Sequence, residues 1–259
     1  MMKILFTICA RAGSKGVKSK NVRDFLGIPI AYYTLAAYQG FVEKYQNKYD
    51  EIVLALNTDS SVLKEQCDKS NIEYIYVPRM QELGGDFVAK SDVICNTLEN
   101  VEKMTKKKFD LVVDLDLTSP LRIVDDIERG IEKIKEYPDA NVAYSVANAR
   151  RQPHFNLVLE DEKGYLHIAI PSDYVARQEA PKSYDMNASI YVYRTKALLQ
   201  SKEKDIFAGK CVGWLMKDTA VLDIDSEEDY ELMQILAKYF FDKNNDMAEV
   251  YSKAKKIFG

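Results

Sequence analysis

The sequence predicts an α/β fold: a mostly parallel, mixed sheet with helices on both faces and a small excursion late in the chain. Three observations carry this reading. Short runs that are almost wholly apolar recur along the first half, as strands buried on both faces require. Stretches with apolar residues at helical spacing separate them. The two patterns alternate five times, which is the order of a layered α/β sheet.

The first strand is expected over residues 3–9, where apolar side chains follow one another with little alternation. A helix follows over 30–45, then a strand over 51–56, a helix over 60–70 and a strand over 73–77. The next helix covers 88–104, with Val93, Ile94, Leu98, Val101 and Met104 on one face. A strand over 109–115, a helix over 124–135 and a strand over 141–147 complete the alternation. The rhythm then changes. Residues 154–159 and 165–170 flank Asp161-Glu162-Lys163-Gly164 and read as a hairpin. A polar, irregular stretch around 176–185 leads to a strand over 188–193. Strand patterns return at 211–216 and 220–224, and helices are expected over 227–241 and 247–258. Residues 148–185 therefore read as an excursion, a partner-contacting arm within one domain spanning 1–259, because it is too long for a plain loop.

Composition narrows the function. The 259 residues hold 36 Lys and Arg against 40 Asp and Glu, a formal charge of −4, which argues against a general nucleic-acid binder. The 47% hydrophobic content is ordinary globular usage and excludes wholesale disorder. No apolar run reaches the length of a membrane span, and the opening run, which ends at Arg11, is too short for a signal peptide, so a cytoplasmic protein is expected. Cys9, Cys67, Cys95 and Cys211 are scattered, and His154 and His167 are the two histidines, so neither a zinc cluster nor a catalytic triad is expected.

Four constellations carry chemistry. Directly after the first strand stands Ala10-Arg11-Ala12-Gly13-Ser14-Lys15-Gly16-Val17-Lys18-Ser19-Lys20-Asn21. Its glycines let the backbone fold close and expose N–H groups, and its cations suit a polyphosphate. It is neither a Walker A loop nor a dinucleotide turn, and the bland alternative is an exposed basic turn. At the end of the fourth strand, Asp114-Leu115-Asp116-Leu117-Thr118-Ser119-Pro120-Leu121-Arg122 sets two carboxylates on one face and follows them with an anion ligand, Arg122, or else with plain loop and capping residues. Near the end, Asp223-Ile224-Asp225 pairs two hard carboxylates, as Mg2+ prefers, while Asp225 with Glu228 also reads as a capping box. Lastly, Arg150-Arg151, Arg177-Gln178 and Asn187-Ala188-Ser189-Ile190-Tyr191 suit an anionic, hydroxyl-rich ligand or a charged interface.

Taken together, these blocks resemble the acylneuraminate cytidylyltransferase family, in family order, over residues 8–233. The resemblance rests on Ala10 to Gly16 with Lys20-Asn21, on Thr118-Ser119-Pro120-Leu121-Arg122, on Arg177-Gln178, on Asn187 to Tyr191 and on Asp223-Ile224-Asp225. It implies a Rossmann-like nucleotidyltransferase fold, a homodimer and Mg2+-dependent transfer of CMP from CTP to a nonulosonic acid. By the same resemblance, Arg11, Ala12, Gly13, Ser14, Lys15, Lys20, Asn21 and Arg79 would bind the nucleotide, with Arg11, Lys15, Lys20 and Asp225 acting in catalysis. Asp116, Thr118, Ser119, Arg122, Arg177, Gln178, Asn187 and Tyr191 would hold the sugar, and Asp223 and Asp225 the metal. Where enzymes for sialic acid usually carry Gln, this chain carries Asp116. A Gln amide donates and accepts, whereas a carboxylate only accepts, which favours a ligand rich in donors; the alternative is that Asp116 is a second metal ligand or a structural cap. That substitution and several neighbouring blocks are most similar to the legionaminic acid branch. N-acetylneuraminate and pseudaminate are the alternative substrates, and a non-catalytic nucleotide-sugar binder is the alternative from another class.

Overall fold

The computed structural model describes residues 2–13, 17–85, 88–201, 205–219 and 224–259. Its first half runs β1 (Lys3–Cys9), β2 (Asp24–Phe25), β3 (Ile28–Pro29), α1 (Ala31–Tyr45), β4 (Glu51–Thr58), α2 (Ser61–Lys69) and β5 (Ile75–Pro78). Then follow α3 (Lys90–Thr105), β6 (Leu111–Leu115), α4 (Val124–Glu136) and β7 (Val142–Asn148). The remainder is β8 (Val158–Glu160), β9 (Leu166–Ile168), β10 (Tyr184–Arg194), α5 (Thr195–Gln200), β11 (Cys211–Leu215), α6 (Glu227–Lys243) and α7 (Asn245–Phe258). Most of the strand expected over 220–224 lies outside the described residues. Among the described residues, no helix is long and apolar enough to cross a membrane.

Seven strands form one sheet in the order β11-β7-β10-β6-β1-β4-β5. β1 runs parallel to both β4 and β6, and β4 parallel to β5. β10 is antiparallel to β6 and β7, and β11 parallel to β7, so the sheet is mixed. After β1 the chain builds one side of the sheet, then returns to start the other side at β6. Connections leaving β1 and β6 therefore diverge and leave a crevice at their carboxyl ends.

The period-two alternation of each strand divides the core into two layers. Ile4, Phe6 and Ile8 of β1, with Leu111, Val113 and Leu115 of β6, pack with α1, α4, α6 and α7. Leu5 and Val112 point to the other face, against Ile94, Leu98 and Val101 of α3 and Leu198 of α5. Gly130 sits inside α4, where glycine costs helix stability. The reason is steric: a Cβ there would come within 2.5 Å of the Trp214 ring on β11.

Three local features depart from expectation. The hairpin β2–β3 turns through Leu26 and Gly27, both at positive φ, a twist matched to adjacent strands. Leu at the first central position hides that turn in the sequence. The α6 cap is Ser226 with Asp229, not Asp225 with Glu228: the Ser226 hydroxyl accepts from the Asp229 N–H (3.1 Å), and the Asp229 carboxylate accepts from the Ser226 N–H (2.9 Å). Strand β10 begins at Tyr184 rather than 188, and its pairing with β7 shifts between Met186 and Tyr191. In that bulge Ala188 takes φ 51°, a left-handed conformation that costs a β-carbon residue about 1 kcal/mol. Asn187 holds the bulge: its Oδ1 accepts from the Ser145 hydroxyl (2.5 Å) and the Ser189 N–H (3.3 Å).

Arg122, expected as an anion ligand, is instead interior. Its Nε and Nη2 donate to the Ser119 carbonyl at 3.0 and 2.8 Å, and Nη2 also reaches the Asp116 carbonyl. Burial lowers its pKa to about 10, against the pull of Asp116, Asp114 and Asp126, so it remains a cation at neutral pH. The guanidinium therefore fastens the loop that leaves β6 by charge-assisted bonds to carbonyls.

Two stability measurements follow. Gly130→Ala is expected to lower the unfolding free energy by about 1–3 kcal/mol in urea titrations, and Trp214→Leu in the same background should recover part of the loss. Arg122→Gln should cost about 2–3 kcal/mol without any ligand present, because carbonyls of the loop lose their donors. A side chain that served only to bind an anion would leave the ligand-free midpoint unmoved.

Candidate active site

The carboxyl ends of β1, β4, β5 and β6 converge on a cleft of about 340 Å³, lined by Cys9, Arg11, Arg79, Lys90, Asp116 and Thr118 among others. Its residues come from segments far apart in sequence, brought together by the parallel strand order. Cys9 is not a nucleophile there. Burial pushes its thiol up to about 12, with Asp114 adding to the effect, so it stays protonated at neutral pH.

The loop after β1 is fastened by its own surroundings. The Arg11 guanidinium donates to the Gly84 carbonyl (3.3 Å), and the Ala12 N–H donates to Asp59 Oδ1 (2.5 Å). Asn21 donates through Nδ2 to the Arg11 carbonyl (3.1 Å), so its amide shapes the loop. Gly13 turns the chain at φ +80°, a conformation glycine adopts freely. Ser14 and Lys15 lie outside the described residues. Lys20 lines the cleft, with its ammonium 3.2 Å from Asp225 Oδ1. Arg79 donates through Nε to Asn57 Oδ1 (3.0 Å) and faces the same space. Burial lowers its pKa, yet a guanidinium keeps its charge at neutral pH. The cleft thus gathers Arg11, Lys20 and Arg79 in a chain whose net charge is −4.

The opposite wall is built around Lys90, which sequence reasoning missed. Its ammonium lies 2.8 Å from Asp114 Oδ2 and 2.8 Å from Asp116 Oδ2. Asp114 is fully buried, and its Oδ1 accepts from the Thr7 hydroxyl at 2.7 Å, across the β1–β6 register that pairs Thr7 with Asp114. Asp116 Oδ1 accepts from the Thr118 N–H (2.9 Å) and hydroxyl (2.7 Å). Burial by itself would raise the Asp116 pKa. The Lys90 charge and hydrogen bond, with those from Thr118, overcome it and hold the carboxyl well below the usual range. Burial likewise opposes the Lys90 charge, and the two carboxylates reverse that, raising its pKa well above the ordinary lysine value. Both groups are ionised at neutral pH. A signal existed in the sequence: Lys90 opens α3, where the helix dipole disfavours a cation.

The remaining sugar-side candidates separate. Thr118 lines the cleft, while Ser119 contributes its carbonyl to Arg122. Tyr191 lies beside Lys90, its ring centre 5.6 Å from the ammonium. Asn187 spends its amide on the β10 bulge. The same bulge turns the Ser189 carbonyl to accept the Asp116 N–H at 3.1 Å, which positions Asp116 through its backbone. Arg177 and Gln178 sit on an exposed turn of the excursion and do not line this cleft. At the rim, the Asp225 side chain is 79% exposed, with Lys20 beside one oxygen. Asp223 lies outside the described residues. Among the described residues there is no group of three His, Cys, Asp or Glu placed to hold a metal ion. A hard cation completed by substrate phosphates needs only one or two protein carboxylates, so Asp225 fits that use.

Comparison with known proteins places the whole chain. A CMP-N,N'-diacetyllegionaminic acid synthase of Campylobacter jejuni is 36% identical over 237 residues, 91% of this chain and 95% of that protein. The post-translational flagellin modification protein B of Campylobacter coli is 35% identical, covering 92% of this chain and 96% of that protein. The solved structure of CMP:2-keto-3-deoxy-manno-octonic acid synthetase complexed with CTP aligns with a TM-score of 0.61 at 17% identity, over 92% of this chain and 99% of that one. That likeness is one of fold, and the fold is Rossmann-like. The profile of the family described as Cytidylyltransferase matches residues 5–257. With nearly its whole length inside that match, the chain belongs to the cytidylyltransferase family.

Proposed function

We propose that this protein transfers CMP from CTP to the anomeric hydroxyl of a nonulosonic acid, legionaminic acid being the favoured sugar, with release of pyrophosphate. The observation that carries the reading is the 36% identity, over almost the full length of both chains, to a protein named for making CMP-N,N'-diacetyllegionaminic acid. The cleft's charge layout supports it.

In the reaction, the anomeric hydroxyl gives up its proton to solvent as its oxygen bonds to the α-phosphorus, the bond from that phosphorus to the β-bridging oxygen breaks, and pyrophosphate leaves. Charge builds on the phosphates as this happens, and positioned cations stabilise it most. Arg11 and Lys20 supply that charge at the loop after β1, together with Lys15, and Arg79 faces the nucleoside end. Asp116 and Tyr191 orient the sugar acid. Asp225, with Asp223, would hold Mg2+, which would add positive charge at the phosphates.

The excursion gives the assembly its place in the proposal. Leu159, Tyr165, Leu166 and Val175 are 59–89% exposed, so the arm of a single chain leaves several large apolar side chains uncovered. A second copy covering this arm would make the homodimer, and would bring Arg177 and Gln178 toward a partner's cleft.

Three experiments check these points. Pyrophosphate release with N,N'-diacetyllegionaminate is expected with CTP and a divalent cation, and not with ATP or in excess chelator. Asp225→Asn should lower turnover at least a hundredfold with little change in the thermal midpoint, since the α6 cap belongs to Ser226; unaltered turnover would remove Asp225 from the reaction. Light scattering should give twice the chain mass at micromolar concentration, and the double variant Leu159→Glu/Leu166→Glu should give the single mass. A monomeric wild type would end the dimer proposal.

A further inference from the structure

We infer that Lys90 is a specificity-determining residue that contacts the sugar acid together with Asp116; the inference rests on the function proposed above. Asp116 taken alone only accepts hydrogen bonds, which would bar a ligand acceptor from its neighbourhood. Lys90 changes that chemistry, because it places a donor 2.8 Å from Asp116 Oδ2.

The hydrogen-bond count at the pair is restrictive. Asp116 Oδ1 takes both bonds from Thr118, and Oδ2 takes one from Lys90, which leaves Oδ2 one further lone pair. The ammonium has three N–H groups; one donates to Asp116 Oδ2, and the Asp114 ion pair at 2.8 Å takes at most one more. At least one N–H is therefore unspent on oxygen among the described residues. Exposure shows which way the cluster opens: Asp114 is sealed in the core, whereas the Lys90 and Asp116 side chains are 36% and 25% exposed and line the cleft. The fully buried Asp114 thus anchors the ammonium, and the Lys90/Asp116 edge presents one donor beside one acceptor. A glutamine amide offers the same two functions side by side, so the ion pair replaces in two residues what one Gln supplies.

A group that fits this edge carries a donor and an acceptor next to each other. In a nonulosonic acid that is a hydroxyl, or an acylamino N–H beside a hydroxyl on the adjoining carbon. A lone carboxylate or an isolated carbonyl satisfies only half of it. Tyr191, within 5.6 Å of the ammonium, would cover the apolar side of the same substituents.

The test is steady-state pyrophosphate release with CTP and either N,N'-diacetyllegionaminate or N-acetylneuraminate. Lys90→Met would leave Asp114 buried without a counter-charge and risks the fold, so the variant to use is Lys90→Met/Asp114→Asn, in which donor and charge leave together. Its KM for the sugar is expected to rise at least tenfold, with the KM for CTP within about twofold of wild type. Adding Asp116→Gln should bring the sugar KM back to within about threefold of wild type, because one amide restores donor and acceptor. A rise in the CTP KM instead would assign Lys90 to the nucleotide and overturn the inference. So would a fall in kcat with both KM values unmoved and a lowered melting point, the mark of a structural role, or a Gln variant that rescues nothing. Wild-type protein inactive on every nonulosonic acid would fail the proposed function and this inference together. Active wild type with an unmoved sugar KM in the variant fails the inference alone.

Discussion

A carboxylate buried at the end of a central strand must find a cation, because an isolated ion in the interior costs several kcal/mol even after relaxation. Asp114 is in that position, and the cleft is arranged around its solution. Lys90 supplies the charge, which fixes the start of α3 against the sheet and spends helix-dipole energy to do so. The same ammonium then holds Asp116, Asp116 holds Thr118, and the Asp116 carbonyl receives Arg122. The loop leaving β6 is thus tied at both ends by cations that ligand does not supply. A preorganised wall of this kind needs little rearrangement when substrate arrives.

The facing wall is organised on another principle. Arg11 donates to the Gly84 carbonyl and Arg79 to the Asn57 amide oxygen, while Lys20 meets the Asp225 carboxylate. All three line the cleft. One side of the cleft therefore sets a lysine between two carboxylates, while the other gathers two arginines and a lysine. Overall charge could not reveal this, since a net −4 says nothing about where the cations gather.

The regular elements were readable from residue pattern because their signals are local. Residues 3–9 gave β1 without error, and the helices over 30–45, 88–104 and 124–135 fall within two residues of α1, α3 and α4. What escaped notice depended on partners distant in sequence. The β10 bulge exists because Asn187 can bond Ser145 on the neighbouring strand, and nothing in Asn187-Ala188-Ser189 announces it. The short helix α5 and the β2–β3 hairpin are too brief for periodicity to register. Arg122 ends a loop motif and looks like a ligand, but in the fold its guanidinium is buried against the Ser119 and Asp116 carbonyls, three and six residues earlier.

Sequence alone determined the α/β class, the strand-to-loop position of the basic segment and the family resemblance, because each rests on residue type at fixed spacing. It also placed Asp114 and Asp116 on one strand face, a consequence of the two-residue period. Only the tertiary structure decided that Lys90 joins them. The residues are 24 and 26 positions apart, and no rule of spacing links the first turn of a helix to the end of the next strand. The parallel crossover brings α3 back over that sheet face, and the cost of a buried charge selects the cation that meets it.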